Sequence, residues 1–153
     1  MIVVPATVDH WSILSDLAKQ TFTDTFGHLY SSVDLAAHQA EKYTQSALTD
    51  QLSSDLVFFL CSDDDTTAKA PVGFCHLKPN ERNIELMPID EFPDPCWELY
   101  RFYLTADSQG KGGGSFLMRF VIDLLRKQGV QSLWLSVWSE NYTAQRFYEK
   151  FGI

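Results

Sequence analysis

The sequence predicts one mixed α+β domain spanning residues 1–153, and three observations predict it. Two apolar runs, Leu56–Ser62 and Val72–Lys78, flank the polar stretch Asp63–Pro71, which is the pattern of a hairpin with a long exposed tip. A third apolar run, Trp97–Leu104, passes through Thr105–Ser108 into the glycine-dense segment Gly110–Gly114. Phe116, Leu117, Phe120, Val121, Leu124 and Leu125 then recur at helical spacing up to Gly129. At 153 residues, 45% hydrophobic and 14% aromatic, the chain is long enough to bury a core of its own.

In order, Ile2–Val4 is a short β-prone run. Thr7 and Asp9 offer a helix start, and Trp11, Leu14, Leu17, Ala18, Thr21 and Phe22 repeat on one helical face until Gly27 ends or bends it. Ser32 reads as the cap of a second helix through roughly Tyr43, and Ala47–Leu52 as a further short one. The hairpin follows. Asn80–Pro95, with three prolines and several acids, reads as an irregular segment, a mobile acidic lip in outline. After the central strand and the stripe-bearing helix, Leu133, Leu135 and Val137 alternate as a strand. Asn141 or Ser139 caps a last helix carrying Ala144, Phe147, Tyr148 and Phe151.

Composition removes several function classes. A net charge of −8 opposes nucleic-acid binding, which wants a basic face. The same charge suits a cationic substrate, and ordinary acidic solubility explains it equally. No run approaches the ~20 apolar residues of a membrane span. The opening MIVVPATVDHW has neither a basic leader nor a cleavage site, so a cytoplasmic location is expected. Cys61, Cys75 and Cys96 are odd in number and lack metal spacing, so they read as reduced, buried thiols, with a cysteine nucleophile as the alternative. The histidines form no HExxH-type pair, and Asp63–Asp65 lack the glycine and distal glutamate of a calcium loop. No metal is expected.

The chemistry gathers at Gln109, Gly110, Lys111, Gly112, Gly113, Gly114 and Ser115. Glycines leave successive amides uncovered, and the helix starting near Gly113 aims its own amides and positive dipole end at the same place. That is a phosphate cradle. A P-loop would need Lys then Ser or Thr after its second glycine, and Gly110-Lys111-Gly112 fails that test. The dinucleotide fingerprint fails too, because the sixth residue counted from Gly110 is Ser115.

Gln109, two free residues, Gly112, one free residue and Gly114 resemble the acyl-CoA signature of the GNAT N-acetyltransferase superfamily. The preceding strand RFYLTADSQ and the following LWLSVWSENYTAQRFYEKFG keep that family's spacing, and LAKQTFTDTF with LTDQLSSDLVFFL looks like its bacterial spermidine/spermine branch. The resemblance covers essentially the whole chain. It implies a three-layer fold with a central, mostly antiparallel mixed sheet flanked by helices. The family ordinarily continues past Gly152 with two more strands, so the Leu133–Val137 strand is expected to offer an open edge, suited to pairing in a homodimer.

The resemblance also implies a reaction: transfer of acetyl from acetyl-CoA, without a metal, to a primary amine of a small molecule, with a polyamine as first expectation. An alkyl amine, with a pKa of about 10.4, must lose its proton before it attacks. The thioester oxygen needs hydrogen-bond donors and the departing thiolate a proton donor. By resemblance, Phe102, Tyr103 and Leu104 pair through their backbone with the pantetheine arm, Gly110–Ser115 hold the pyrophosphate, and Asn141 contacts the coenzyme. Tyr148 protonates the thiolate, and Glu98 matches a strand position where some members carry the base. Each has a plainer reading: Asn141 as helix cap, Tyr148 as core packing, Glu98 as a strand carboxylate. The first helices form one wall of the acceptor pocket in that family, which makes Phe26, Tyr30 and Asp34 candidate lining residues; core aromatics and a helix-start carboxylate are the alternative. Two rival functions stand beside this one. One is a non-catalytic acyl-CoA-binding or regulatory module; the other, a nucleotide phosphotransferase, lacks the Lys-Ser/Thr pair.

Overall fold

A computed structural model describes all 153 residues, Met1–Ile153. The elements run β1 (Ile2–Pro5), α1 (Trp11–Phe26), α2 (Ser32–Lys42), α3 (Gln45–Ser54), β2 (Leu56–Cys61), β3 (Gly73–Lys78), β4 (Cys96–Leu104), α4 (Gly113–Lys127), β5 (Ser132–Trp134) and α5 (Tyr142–Lys150). The five strands form one sheet in the order β1-β2-β3-β4-β5. All neighbours are antiparallel except β4 and β5, which run parallel. A parallel pair needs a crossover, and α4 supplies it.

The sheet separates two cores. On one face, Leu14, Leu17 and Ala18 of α1 and Leu48 and Leu52 of α3 pack on Val57, Phe59 and Phe74. On the other, Leu117, Met118, Val121 and Leu125 of α4 pack on Leu60, Cys75, Leu77, Leu99 and Leu104. Period-two alternation along the strands sends successive residues to opposite faces, which is why β2 and β3 are almost wholly buried. Each fully covered leucine or phenylalanine contributes about 1.5–3 kcal/mol. The cysteines are free and buried.

Helix ends follow local chemistry. The second helix is capped one residue earlier than Ser32: the Ser31 hydroxyl accepts the Asp34 N–H at 3.1 Å, and Ser32 is the first helical residue. Thr44 caps α3 through the Ala47 N–H at 3.2 Å, so that helix starts before Ala47. Asn141, not Ser139, caps α5, accepting the Ala144 N–H at 3.2 Å.

Residues 79–95 contain no helix or strand, but the segment is tied down. Arg82 donates to Asp94 at 2.6 Å and to the Met87 carbonyl at 2.8 Å. Trp134 Nε1 and Ser132 Oγ donate to the Glu81 and Pro93 carbonyls at 2.9 Å each.

The last strand is shorter than its alternation suggests. Its ladder holds only Cys96↔Ser132, Trp97↔Leu133 and Glu98↔Trp134. Beyond these the two chains diverge, and Leu135–Val137 lack strand structure because they have no ladder partner.

Candidate functional site

The divergence of β4 and β5 opens a cleft of about 670 Å³. Leu99–Leu104 line one wall and Leu135–Trp138 the other. The loop glycines Gly110, Gly112 and Gly114 close one end with Ser115, and α5 contributes Asn141, Ala144, Phe147, Tyr148 and Lys150. Along this stretch β4 still pairs with β3, from His76↔Arg101 to Gly73↔Leu104. Its other edge has no strand beside it, so alternate main-chain N–H and C=O groups face the cleft. A bulge interrupts the β3–β4 register between His76 and Leu77, opposite Tyr100, which takes backbone groups of β4 off the ladder where the cleft begins.

The glycine loop leaves main-chain amides uncovered. Gly110 and Gly112 hold φ of +76° and +83°, in the left-handed region that a Cβ disfavours by roughly 1–2 kcal/mol. Gly112 is the N-cap of α4 and makes no side-chain cap bond, so the first amides of that helix are free for a ligand. Gly113 serves packing: a Cβ there would lie 3.0 Å from a Leu104 methyl and 3.2 Å from one of Leu60. Gln109 Nε2 donates back to the Leu104 carbonyl at 3.3 Å, and the Ala106 N–H donates to Asp24 at 3.1 Å, which fixes the loop to β4 and α1. Lys150 Nζ lies 3.3 Å from Ser115 Oγ and puts a positive charge beside the first turn of α4.

Tyr148 stands on the α5 face that also carries Ala144 and Phe147, and its ring meets Phe102 and Phe147 edge-on. Burial, with Tyr103 adding to it, pushes its phenol up to about 12. It is therefore an O–H donor across the whole physiological range. The Asn141 oxygen accepts its cap bond, and Asn141 lines the cleft.

The other expected residues are placed as follows. Phe102, Tyr103, Leu104, Gln109 and Phe26 line the cleft, while Lys111, Gly113, Tyr30 and Asp34 do not. Tyr30 packs on Phe22 and His38, and Asp34 occupies the first turn of α2. Glu98 also lies outside the lining. It is the Cα partner of Lys78 and Trp134, at the last rung before the strands part. Burial raises its carboxyl above the ordinary range, and Lys78 partly offsets that.

Arg101, Trp138 and Lys150 are lining residues that motif reasoning passed over. The signal for Lys150 was present: Thr143, Phe147 and Lys150 follow i, i+4, i+7 spacing on the α5 face turned to the cleft. Trp138 was hidden, because its position depends on where β5 leaves the sheet.

Known proteins share this fold. The fold superposes on the crystal structure of PaiA N-acetyltransferase from Thermoplasma acidophilum in complex with coenzyme A, with a TM-score of 0.75 at 20% identity, covering 99% of this chain and 89% of that one. A GCN5-related N-acetyltransferase from Ralstonia eutropha JMP134 gives 0.74 at 17% identity, covering 99% and 91%. In sequence, an uncharacterized N-acetyltransferase in the pepI 3' region of Lactobacillus delbrueckii subsp. lactis is 27% identical over 139 residues, 90% of this chain and 75% of that protein. The [ribosomal protein bS18]-alanine N-acetyltransferase of Escherichia coli (strain K12) is 39% identical over 54 residues, 35% of this chain and 36% of that protein. Residues 12–153 match the acetyltransferase (GNAT) family, and the chain belongs to that family.

Proposed function

We propose that the chain is an acetyl-CoA-dependent N-acetyltransferase acting on the primary amine of a small molecule. The observation that carries this reading is the loss of a neighbour strand along Leu99–Leu104, next to a side-chain-free helix N-terminus. An extended amide-bearing arm can pair with that bare edge as a strand would, while a diphosphate takes the α4 amides and Lys150. Acetyl-CoA, when bound, supplies an activated acetyl thioester. The lining fits it in polarity and in the order of its parts, from the loop to the Phe102 region.

The chain's own groups then divide the work. Backbone amides freed at the Tyr100 bulge stand ready to donate to a carbonyl oxygen that gains charge. Glu98 takes a proton from the amine. Since it does not line the cleft, that proton travels through water, and a raised carboxyl pKa makes it the better base. The amine nitrogen bonds to the acetyl carbon, the carbon–sulfur bond breaks, and the products are an N-acetyl amide and a free thiol. Tyr148 donates to the sulfur as it leaves. A thiol near ~8.5 is a stronger acid than this phenol, so Tyr148 gives a hydrogen bond while the proton that ends on sulfur derives from the amine.

The net charge of −8, which concentrates cations near the surface, is the argument for a polyamine acceptor. The cleft lining itself holds one carboxylate, Asp24, against Arg101 and Lys150, and so supports an amine without requiring a polycation. Thiol release from acetyl-CoA across a panel of amines tests the activity. Saturable release with at least one amine is expected. Coenzyme binding without release for any amine would favour a non-catalytic acyl-CoA-binding module, and no coenzyme binding at all would sink both.

A further inference from the structure

A second recess opens on the face of β4 that packs against α1 and α2. It measures about 210 Å³ and shares Tyr100, Arg101 and Tyr103 with the cleft. Its size is below that of a whole drug-like ligand and suits one end of a small molecule. The lining is aromatic and basic: Phe22, Phe74 and Tyr103 stand with His38, Lys42 and Arg101, and no carboxylate is among the lining residues.

Arg101 is held in a fixed pose. It stacks over Tyr100 at 4.6 Å and Tyr43 at 5.6 Å, and Nη1 donates to Gln51 Oε1 at 2.9 Å. The chain's ion pairs are Met1–Asp63, His76–Asp55 and Arg82–Asp94, so Arg101, Lys42 and His38 face the recess without a carboxylate partner. A part-buried guanidinium normally finds an anion. Here its remaining N–H groups make a preformed fork for a planar carboxylate.

We propose that this recess seats the carboxylate of the acceptor, with Arg101 as the specificity-determining residue and Lys42 beside it. The acceptor class is then a primary amine that also carries a carboxylate and an apolar body, the chemistry of a free aromatic amino acid, not that of a polycation. A polyamine would bring ammonium groups against Arg101 and Lys42 with nothing to neutralise them. The amine end reaches the cleft across Tyr100, Arg101 and Tyr103, the residues common to both spaces. This rests on the acetyltransferase reading for the reaction, but not for the binding.

The test is therefore split. Calorimetric titration of the intact chain with N-acetyl-phenylalanine and with its C-terminal amide measures the recess without any catalysis. The acid should bind at least about tenfold more tightly than the amide, since a charge-assisted pair of bonds is lost. Arg101→Gln should collapse that preference to near onefold. Lys42→Gln, on an exposed helix end where folding is not at stake, should reduce it about two- to threefold, within the range for exposed ion pairs. Equal affinity of acid and amide, or no binding of the acid, would overturn the proposal without involving any variant. In turnover assays phenylalanine should outperform both phenylalaninamide and spermidine; spermidine as the preferred acceptor overturns it. Silence with every amine would instead count against the acetyltransferase reading, leaving the titration to decide the recess.

Discussion

The Tyr148 ring lies edge-on to Phe102, with centroids 6.3 Å apart, so the α5 phenol is fixed against the bare strand edge and not left to swing. Tyr148→Phe keeps the ring contact and removes only the hydroxyl. Turnover should fall by roughly 10- to 10²-fold, the loss of one hydrogen bond to the departing, negatively charged sulfur, while coenzyme affinity stays close to wild type. Because burial pushes this phenol up to about 12, it should produce no descending limb in the rate below pH 10. Thiol release against pH, with a parallel coenzyme titration, checks both statements, and unchanged turnover would remove Tyr148 from the reaction.

Glu98 sits at the rung where β4 and β5 part, with its carboxyl raised by burial. If it carries the amine's proton through water, the rate should rise with pH as that carboxyl ionises. Glu98→Gln should flatten this rise and lower the plateau. An unaltered profile would exclude Glu98 and direct attention to water alone.

Lys150 reaches across from α5 to within 3.3 Å of Ser115 Oγ at the start of α4. Lys150→Met should weaken coenzyme A binding several-fold, in the range of an exposed charge pair, and the gap from wild type should shrink in high salt. Dephospho-coenzyme A lacks the ribose 3'-phosphate and keeps the diphosphate, so the same loss with both ligands would assign the lysine to the diphosphate. Equal affinity of variant and wild type in low salt would refute the contact.

His76 is fully buried. Its Nε2 lies 2.8 Å from Asp55, and Nδ1 has no hydrogen-bond partner. Burial lowers its pKa from 6.5 to about 4, against the pull of Asp55. The unfolded chain thus takes up a proton on this residue before the folded one does. Its contribution to stability is fully present above pH 6.5 and is lost as pH falls from there toward 4. The melting temperature should decline over that window in wild type and decline less in His76→Gln. Parallel curves for the two proteins would refute this assignment.

The sequence carried the glycine loop, the stripe of α4 and the Asn141 cap because each is written in residues close together along the chain. Gly110 and Gly112 announce their left-handed backbone by being glycine, and Leu117, Val121 and Leu125 announce a buried face by spacing alone. The family likeness added the sheet and its flanking layers, which short-range patterns do not specify. What stayed illegible depends on long-range geometry. The end of β5 at Trp134 is where its ladder with β4 stops, so Leu135 and Val137 alternate in sequence without forming a ladder. Arg101 reads as an ordinary strand arginine until α2 and α3 bring Lys42, Tyr43 and Gln51 around it. The same folding moved Ser32 off the cap position, because Ser31 presents its hydroxyl to the Asp34 amide.

The sheet also keeps two independent fillings apart, one under α1 and α3 and one under α4. Phe22, His38 and Lys42 line the recess and not the cleft, so on the proposed reading substitutions at these three positions would change the choice of amine and leave the start of α4 as it is.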